Sequence, residues 1–308
     1  MNVNMNINLG KETKLSGKKR SYMEKIEVLD IILLILLAFW ALVIILPFLN
    51  VIGISFASEK EYYNSPLVLI PRDTTLENYK ALVLDGRIWI GYRTTLLIVL
   101  IAVPLSMFLT TSMAYGLSRP NLPFRKFFVY FIVFTMMFNG GIIPLYLLMK
   151  QLNLINTLWS VILGTAINSF YLIIMRNYFM SLPTSLVESA KLDGAREWQI
   201  MFWIILPISM PIIATLTLFY SVDRWNEWFL PMIFIRKRTL LTLQIALRSI
   251  VLERQGSEHF SASETDMKKF TEGMKTAAVL LTMLPIMCVF PFLQKYFVKG
   301  IMIGAIKG

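Results

Sequence analysis

Six stretches of this chain run for 19 residues or more without an Asp, Glu, Lys or Arg, covering 31–58, 94–118, 127–149, 151–175, 198–222 and 276–294. At about 1.5 Å per residue, even the shortest makes a helix of roughly 28 Å, close to the thickness of a bilayer's hydrocarbon core. Backbone groups in that medium must find partners within the protein, so uncharged runs of this length point to membrane-spanning helices. The balance of residues agrees: 56% are hydrophobic, 16% are charged and the mean hydropathy is +0.62, beyond the usual soluble range. The fold class expected is an all-α membrane protein with six transmembrane helices. Pro47, Pro104 and Pro144 fall inside the runs, where a helix can bend if its neighbours satisfy the freed backbone groups.

The first run, at 28 residues, is too long for an ordinary signal-peptide core and reads as an uncleaved anchor. The polar stretch before it, residues 1–27, is expected to be a cytoplasmic tail. Loops 119–126 and 176–197 and the segment after 294 then lie on the same side, with 59–93, the surroundings of Lys150 and 223–275 outside. RPNLPFRK at 119–126 carries three basic residues against the single Lys150 of the opposite short loop, the bias of the positive-inside rule. The domain reading is an N-terminal tail 1–27, a transmembrane domain 28–300 and a cytoplasmic tail 301–308, with both termini inside. Within the transmembrane domain, 59–93 and 223–275 are external loops and 176–200 is a cytoplasmic one.

Other chemistry is closed off by what the chain lacks. Cys288 is the only cysteine and His259 the only histidine, so an intrachain disulfide, a histidine-based triad and a His-rich metal site are all excluded. Cys288 reads as a small buried hydrophobe. No GxxxxGK[ST] segment cradles a nucleotide, and no clustered basic motif accompanies the net charge of +11 to suggest nucleic acid. The chain reads as neither an enzyme nor a holder of cofactor or metal.

In the first external loop, Thr75 and Glu77 precede a short helix reaching Leu84; the segment is either a lid over helix ends or a docking face. In the second, Trp225, Trp228 and Phe229 read as an interfacial anchor, and Leu243, Leu247 and Ile250 as one face of a short amphipathic helix.

The stretch ESAKLDGAREWQIMFWIILP, 188–207, sets charges and a glycine directly against an apolar run. Pro183, Thr184 and Ser185 end the preceding helix, and Ser185 with Glu188 has capping-box spacing. A first short helix through Ala190 and Leu192 is expected, then a bend or close backbone contact at Gly194, then a second helix from near Ala195 toward Pro207. The two helices form an elbow. In it Glu188, Ser189, Ala190, Gly194, Ile204, Leu206 and Pro207 stand at the positions of a motif of the permeases of binding-protein-dependent ABC importers, with Ser189 in place of the commoner alanine. The flanks ENYKALV, GGIIPLYLLMKQLNLINTLWSVIL, FYLIIMRNYFMSLPTSLVESAKLDGA and SVDRWNEWFLP extend the likeness. Over residues 25–308 the chain resembles the six-span permeases of carbohydrate importers, particularly the polysaccharide and oligosaccharide branch.

That resemblance implies a division of labour. An extracytoplasmic solute-binding protein delivers a carbohydrate, two permease subunits enclose the path across the bilayer, and two ATPase subunits or domains bind ATP and Mg. The home is then the cytoplasmic membrane of a bacterium, and 176–200 is the loop that couples to an ATPase. Glu188 either caps its helix or meets the ATPase; Asp193 either caps the second helix or lies exposed; Arg196 faces lipid phosphate or the ATPase. Asn139, Asn168 and Tyr171 are polar positions in apolar spans, reading either as interhelical hydrogen bonds or as sugar contacts. The scarcity of charge within the spans favours a neutral cargo. A secondary transporter and a non-transporting membrane assembly protein are the alternatives; the first normally needs a coupling-ion site.

Overall fold

The computed structural model describes residues 28–65, 67–257 and 271–305. The expectations for the tail 1–27, His259, the middle of loop 223–275 and residues 306–308 lie outside them. The chain divides into two compact units, 1–48 and 49–308. Helix α1 (Val28–Phe56) runs through the division, and everything below concerns the second unit.

The end of α1 is tied to the segment that follows it. Asn50 Oδ1 accepts from the Val68 amide at 2.8 Å, and Gly53 lies so near this segment that a Cβ there would sit 1.8 Å from the Val68 carbonyl oxygen. Helix α2 (Glu59–Asn64) is capped by Ser58, whose Oγ accepts from the Glu61 amide, while the Glu61 carboxylate accepts the Arg72 and Asp73 amides at 2.8 and 3.0 Å. Ala57 and Thr74 form an isolated antiparallel bridge. Helix α3 (Glu77–Asp85) follows Thr75 as the sequence suggests, and its buried Asn78 donates to the Ser55 carbonyl at 3.1 Å. The segment is a lid folded onto the end of α1.

Helix α4 (Arg87–Ser118) is the hub of this unit. It packs against α3, against α5 (Arg125–Met137), and against α7 (Leu158–Gly164) and α8 (Ser169–Ser181). Between α5 and α7 lies α6 (Ile142–Gln151). Helix α9 (Thr184–Leu192) opens the elbow, which continues through α10 (Glu197–Gln199), a π-helical turn at Ile200–Ile205 and α11 (Leu206–Ile208). Then come α12 (Met210–Asn226), α13 (Phe229–Phe234), α14 (Leu243–Ser257) and α15 (Thr271–Ala305). Helices α12 and α14 also pack on α4. At Gly91 of α4 a Cβ would come within 2.8 Å of the Leu243 Cα, and Thr95 Oγ1 accepts the Leu243 amide at 2.9 Å, so α14 approaches α4 nearly backbone to backbone.

Three of the uncharged runs are not straight. Helices α5 and α6 meet at 110°, α7 and α8 at 50°, and the segments Glu197–Ile208 and Met210–Asn226 at 84°. Each break has a local cause. Gly141 adopts φ +85° between α5 and α6, a conformation open to glycine. Asn168 stops the α7–α8 continuation by capping α8, its Oδ1 accepting the Phe170 and Tyr171 amides at 2.9 and 3.3 Å. Ser209 sits between Pro207 and Pro211, neither of which has an amide hydrogen to give to a continuous helix. Among the described residues, two helices are long and apolar enough to cross a membrane, or up to five if each bent pair is one span. The fold is all-α, with no sheet among the described residues.

Three expectations change. Residues 223–226 belong to α12 instead of a loop, so Trp225 is buried, donating its indole N–H to the Thr282 carbonyl at 3.2 Å, and is no interfacial anchor. Trp228 and Phe229 stay partly exposed, with the Arg248 guanidinium 4.5 Å above the Trp228 ring. Cys288 is exposed, because it shares with Met283, Leu284 and Met287 a face of α15 turned away from the other helices of this unit. Leu243, Leu247 and Ile250 do form the inward face of α14.

Candidate functional site

The elbow is built on a glycine turn. Asp193 follows the last residue of α9, and Gly194 takes φ +79°. The Gly194 amide donates to the Lys191 carbonyl at 3.0 Å and the Ala195 amide to the Ala190 carbonyl at 2.9 Å. This pair of bonds, one spanning three residues and one five, is the Schellman arrangement that ends a helix through a left-handed residue. Its hydrophobic closure is present too, since Ala190 and Ala195 lie in one apolar cluster with Tyr115, Leu172, Met175, Phe179, Ile200 and Ile205. An added Cβ at Gly194 would meet nothing within 4 Å, so the glycine is there for its backbone angle and not for a close contact.

The capping box expected from Ser185 and Glu188 does not form: Pro183 precedes α9, and no side chain caps it. Glu188, Ser189 and Asp193 are exposed, while Ala190 is buried. The second helix starts later than Ala195, because Arg196 is extended and its amide donates to Gln199 Oε1 at 2.7 Å. The Arg196 side chain is exposed. Ile204 packs on the same apolar cluster from the π-helical turn, and Leu206 and Pro207 lie just before the 84° bend.

Four residues that sequence reasoning passed over tie the elbow to α4. Lys191 Nζ and Glu197 Oε1 are 2.6 Å apart across the turn, and the other Glu197 oxygen accepts the Tyr115 hydroxyl at 2.6 Å. The Arg119 guanidinium lies 4.0 Å over the Tyr115 ring. Lys191 and Glu197 are six residues apart, a spacing without meaning on a helix until the glycine turn folds one back toward the other.

The second cluster joins α12 to the α7–α8 break. The Tyr220 hydroxyl accepts the Asn168 amide at 3.0 Å and lies 2.7 Å from Thr110 Oγ1. Tyr171 donates to Asp223 Oδ2 at 2.9 Å and packs edge-on against Tyr220. One turn further on, the buried Arg224 guanidinium donates to both the carbonyl and the hydroxyl of Thr165. The structure thus brings Asn168 and Tyr171 together. Asn139 is elsewhere, at the α5–α6 break, where its Oδ1 accepts the Gly141 amide at 2.8 Å. The uncharged run 198–222 stops one residue short of Asp223, but α12 continues through both charges. Scarcity of charge therefore no longer argues for a neutral cargo. Beside this cluster a cavity of about 630 Å³ opens between α4, α5 and α8, lined by Ser112, Gly116, Phe128, Phe131, Thr135 and Ser169 among others. Among the described residues, no group of three or more His, Cys, Asp or Glu is placed to hold a metal ion.

Comparisons with known proteins give this geometry a context. The family described as binding-protein-dependent transport system inner membrane component matches residues 96–303. The polygalacturonan/rhamnogalacturonan transport system permease protein YtcP of Bacillus subtilis (strain 168) is 37% identical over 291 residues, covering 92% of this chain and 100% of that protein. Protein LplC of the same organism is 36% identical over 281 residues, covering 91% of this chain and 95% of its own length. Among solved structures, a bacterial ABC transporter involved in the import of the acidic polysaccharide alginate matches with a TM-score of 0.80 and 30% identity, over 90% of this chain and 99% of that one. These matches agree with the resemblance carried by ESAKLDGA and its flanks, and the chain belongs to the inner membrane components of binding-protein-dependent transport systems, the permeases of ABC importers.

Proposed function

We propose that this permease forms one half of the membrane path for an oligosaccharide, handed over by an extracytoplasmic solute-binding protein and driven by ATP hydrolysis on two partner ATPases that hold ATP and Mg. A second permease supplies the other half. The relatives named for polygalacturonan/rhamnogalacturonan and for arabinooligosaccharide transport, and the alginate importer, support a carbohydrate as the cargo class. The membrane is a bacterial cytoplasmic membrane, crossed six times with both termini inside. Support for that number comes from α1, α4, three bent pairs and α15, which contains the sixth uncharged run.

The observation that carries the reading is the elbow. It presents Glu188, Ser189, Asp193, Arg196 and the 89% exposed Leu192 outward, while Ala190 and Ile204 anchor it in the core. This is the shape of a docking knob: an exposed polar face for the ATPase on a base packed into the membrane helices. When the ATPases close, the knob turns, and Leu206 and Pro207 pass the motion through the bend into α12. Stiffness is the physical requirement, because a loose joint absorbs displacement. Asn168 and Tyr171, with Tyr220 and Asp223 beside them, are offered as the sugar-facing polar positions, and Asn139 as a further one at the α5–α6 break. Aromatic rings beside hydrogen-bonding groups suit a sugar's apolar faces and hydroxyls.

The test is gentle purification of the tagged chain with its co-expressed genomic neighbours and identification of what travels with it. A second permease, an ATPase and a solute-binding protein are expected. Recovery of the chain without any ATPase, under conditions that keep membrane complexes whole, would refute the reading.

A further inference from the structure

We infer that Tyr115 and Glu197 are a positioning pair that carries the elbow's displacement to α4. The inference rests on the docking role proposed above for the elbow. The backbone joins the elbow to α8 on one side and to α12 on the other, so those helices receive its motion covalently. Helix α4 has no such connection to the elbow, yet it packs against α8, α12 and α14 and is the element whose movement would reshape the whole bundle.

Apolar packing of Tyr115 with Ala190 and Ile200 holds the two surfaces together, but dispersion contacts are non-directional and tolerate sliding. The hydrogen bond is directional. Tyr115 is 7% exposed and donates at 2.6 Å to a carboxylate oxygen, a charge-assisted bond of the stronger class. The second Glu197 oxygen is held by Lys191 at 2.6 Å, which fixes the carboxylate relative to α9, and Arg119 over the Tyr115 ring at 4.0 Å braces the far side. The last turn of α4, the residue after it, the end of α9 and the start of α10 thereby form one body. Lys191 and Glu197 are each about half exposed, so by itself their pair adds little to stability; its contribution is orientation.

The experiment uses the assembled complex with its ATPases, with Cys288 replaced by serine and spin labels at Met113 on α4 and Thr184 at the start of the elbow, both exposed and neither in the docking face. The distance between labels is measured without nucleotide and after trapping with MgATP and vanadate. In otherwise wild-type complex it is expected to be the same in both states. In Tyr115→Phe, which removes only the hydroxyl, it is expected to shift between the states, and in Glu197→Gln, which keeps an acceptor, to stay closer to wild type. Glu197→Ala serves in place of Tyr115→Phe if that variant does not assemble. A distance that changes on trapping in wild type, or one that stays fixed when the bond is removed, would overturn the pair's role. Failure of the wild-type chain to assemble with an ATPase is a different result and strikes the docking role instead.

Discussion

At the scale of single residues, two glycines show the same residue kept for opposite reasons. Gly53 leaves room for a neighbour's backbone, whereas Gly194 stands in open space at φ +79°. Gly53→Ala must push the Val68 carbonyl away and strain the Asn50–Val68 bond, a cost on the order of 1–3 kcal/mol. Its thermal unfolding midpoint in detergent should fall, while Gly116→Ala, within α4 and with nothing within 4 Å of the added atom, should not lower the midpoint. Equal behaviour of the two variants would show that the lid does not press on α1 as described. The sequence made the position of Gly194 legible through the motif around it, but not its cause: spacing shows where a chain turns, and only the backbone angle separates conformational need from crowding. Ser185 and Glu188 teach the converse. Their spacing suits a capping box, yet Pro183 begins the turn and leaves α9 without a side-chain cap.

At the scale of elements, the uncharged runs announced which stretches are apolar and helical and said nothing of direction. Apolar composition is the same on both sides of a bend, so the breaks at 138–141, 165–168 and 209 were hidden in continuous hydrophobic sequence. The signals were local and modest: two consecutive glycines, an asparagine ahead of a helix, a serine between two prolines. What holds the second break is long-range and was illegible, because Tyr220 and Arg224 act from α12 more than 50 residues away. Arg224→Met removes both bonds to Thr165 and leaves a part-buried carbonyl without its donor, a loss of about 1–3 kcal/mol. Thr165→Val, which takes away the hydroxyl acceptor and the hydroxyl's own bond to the Val161 carbonyl but leaves the Thr165 carbonyl paired, should cost less. Hydrogen exchange separates the two halves of the clamp: the Asn168 amide should lose protection in Tyr220→Phe far more than in Arg224→Met. Equal exchange in both would mean that the α7–α8 break is not held as the hydrogen bonds indicate.

At the scale of the whole molecule, the lid on α1 and the elbow must lie on opposite sides of the membrane if one receives a binding protein and the other an ATPase. Tyr63 in the lid is 73% exposed and Leu192 on the elbow 89%, so single cysteines at these positions in a Cys288→Ser background report the sides directly. An impermeant thiol reagent added to intact spheroplasts should label position 63 at once and position 192 only after permeabilisation. The reverse order would invert the proposed orientation. The measurement that bears most directly on the permease account is ATP hydrolysis and oligosaccharide uptake in the same proteoliposomes, with wild-type, Gly194→Asn and Gly194→Val complexes of verified subunit ratio. Asparagine tolerates the left-handed angle, whereas a β-branched side chain there strains the turn by about 1–3 kcal/mol. The account predicts near-normal uptake with asparagine, and with valine a loss of uptake while ATP hydrolysis persists; normal uptake together with normal stimulated hydrolysis in the Gly194→Val complex would contradict it.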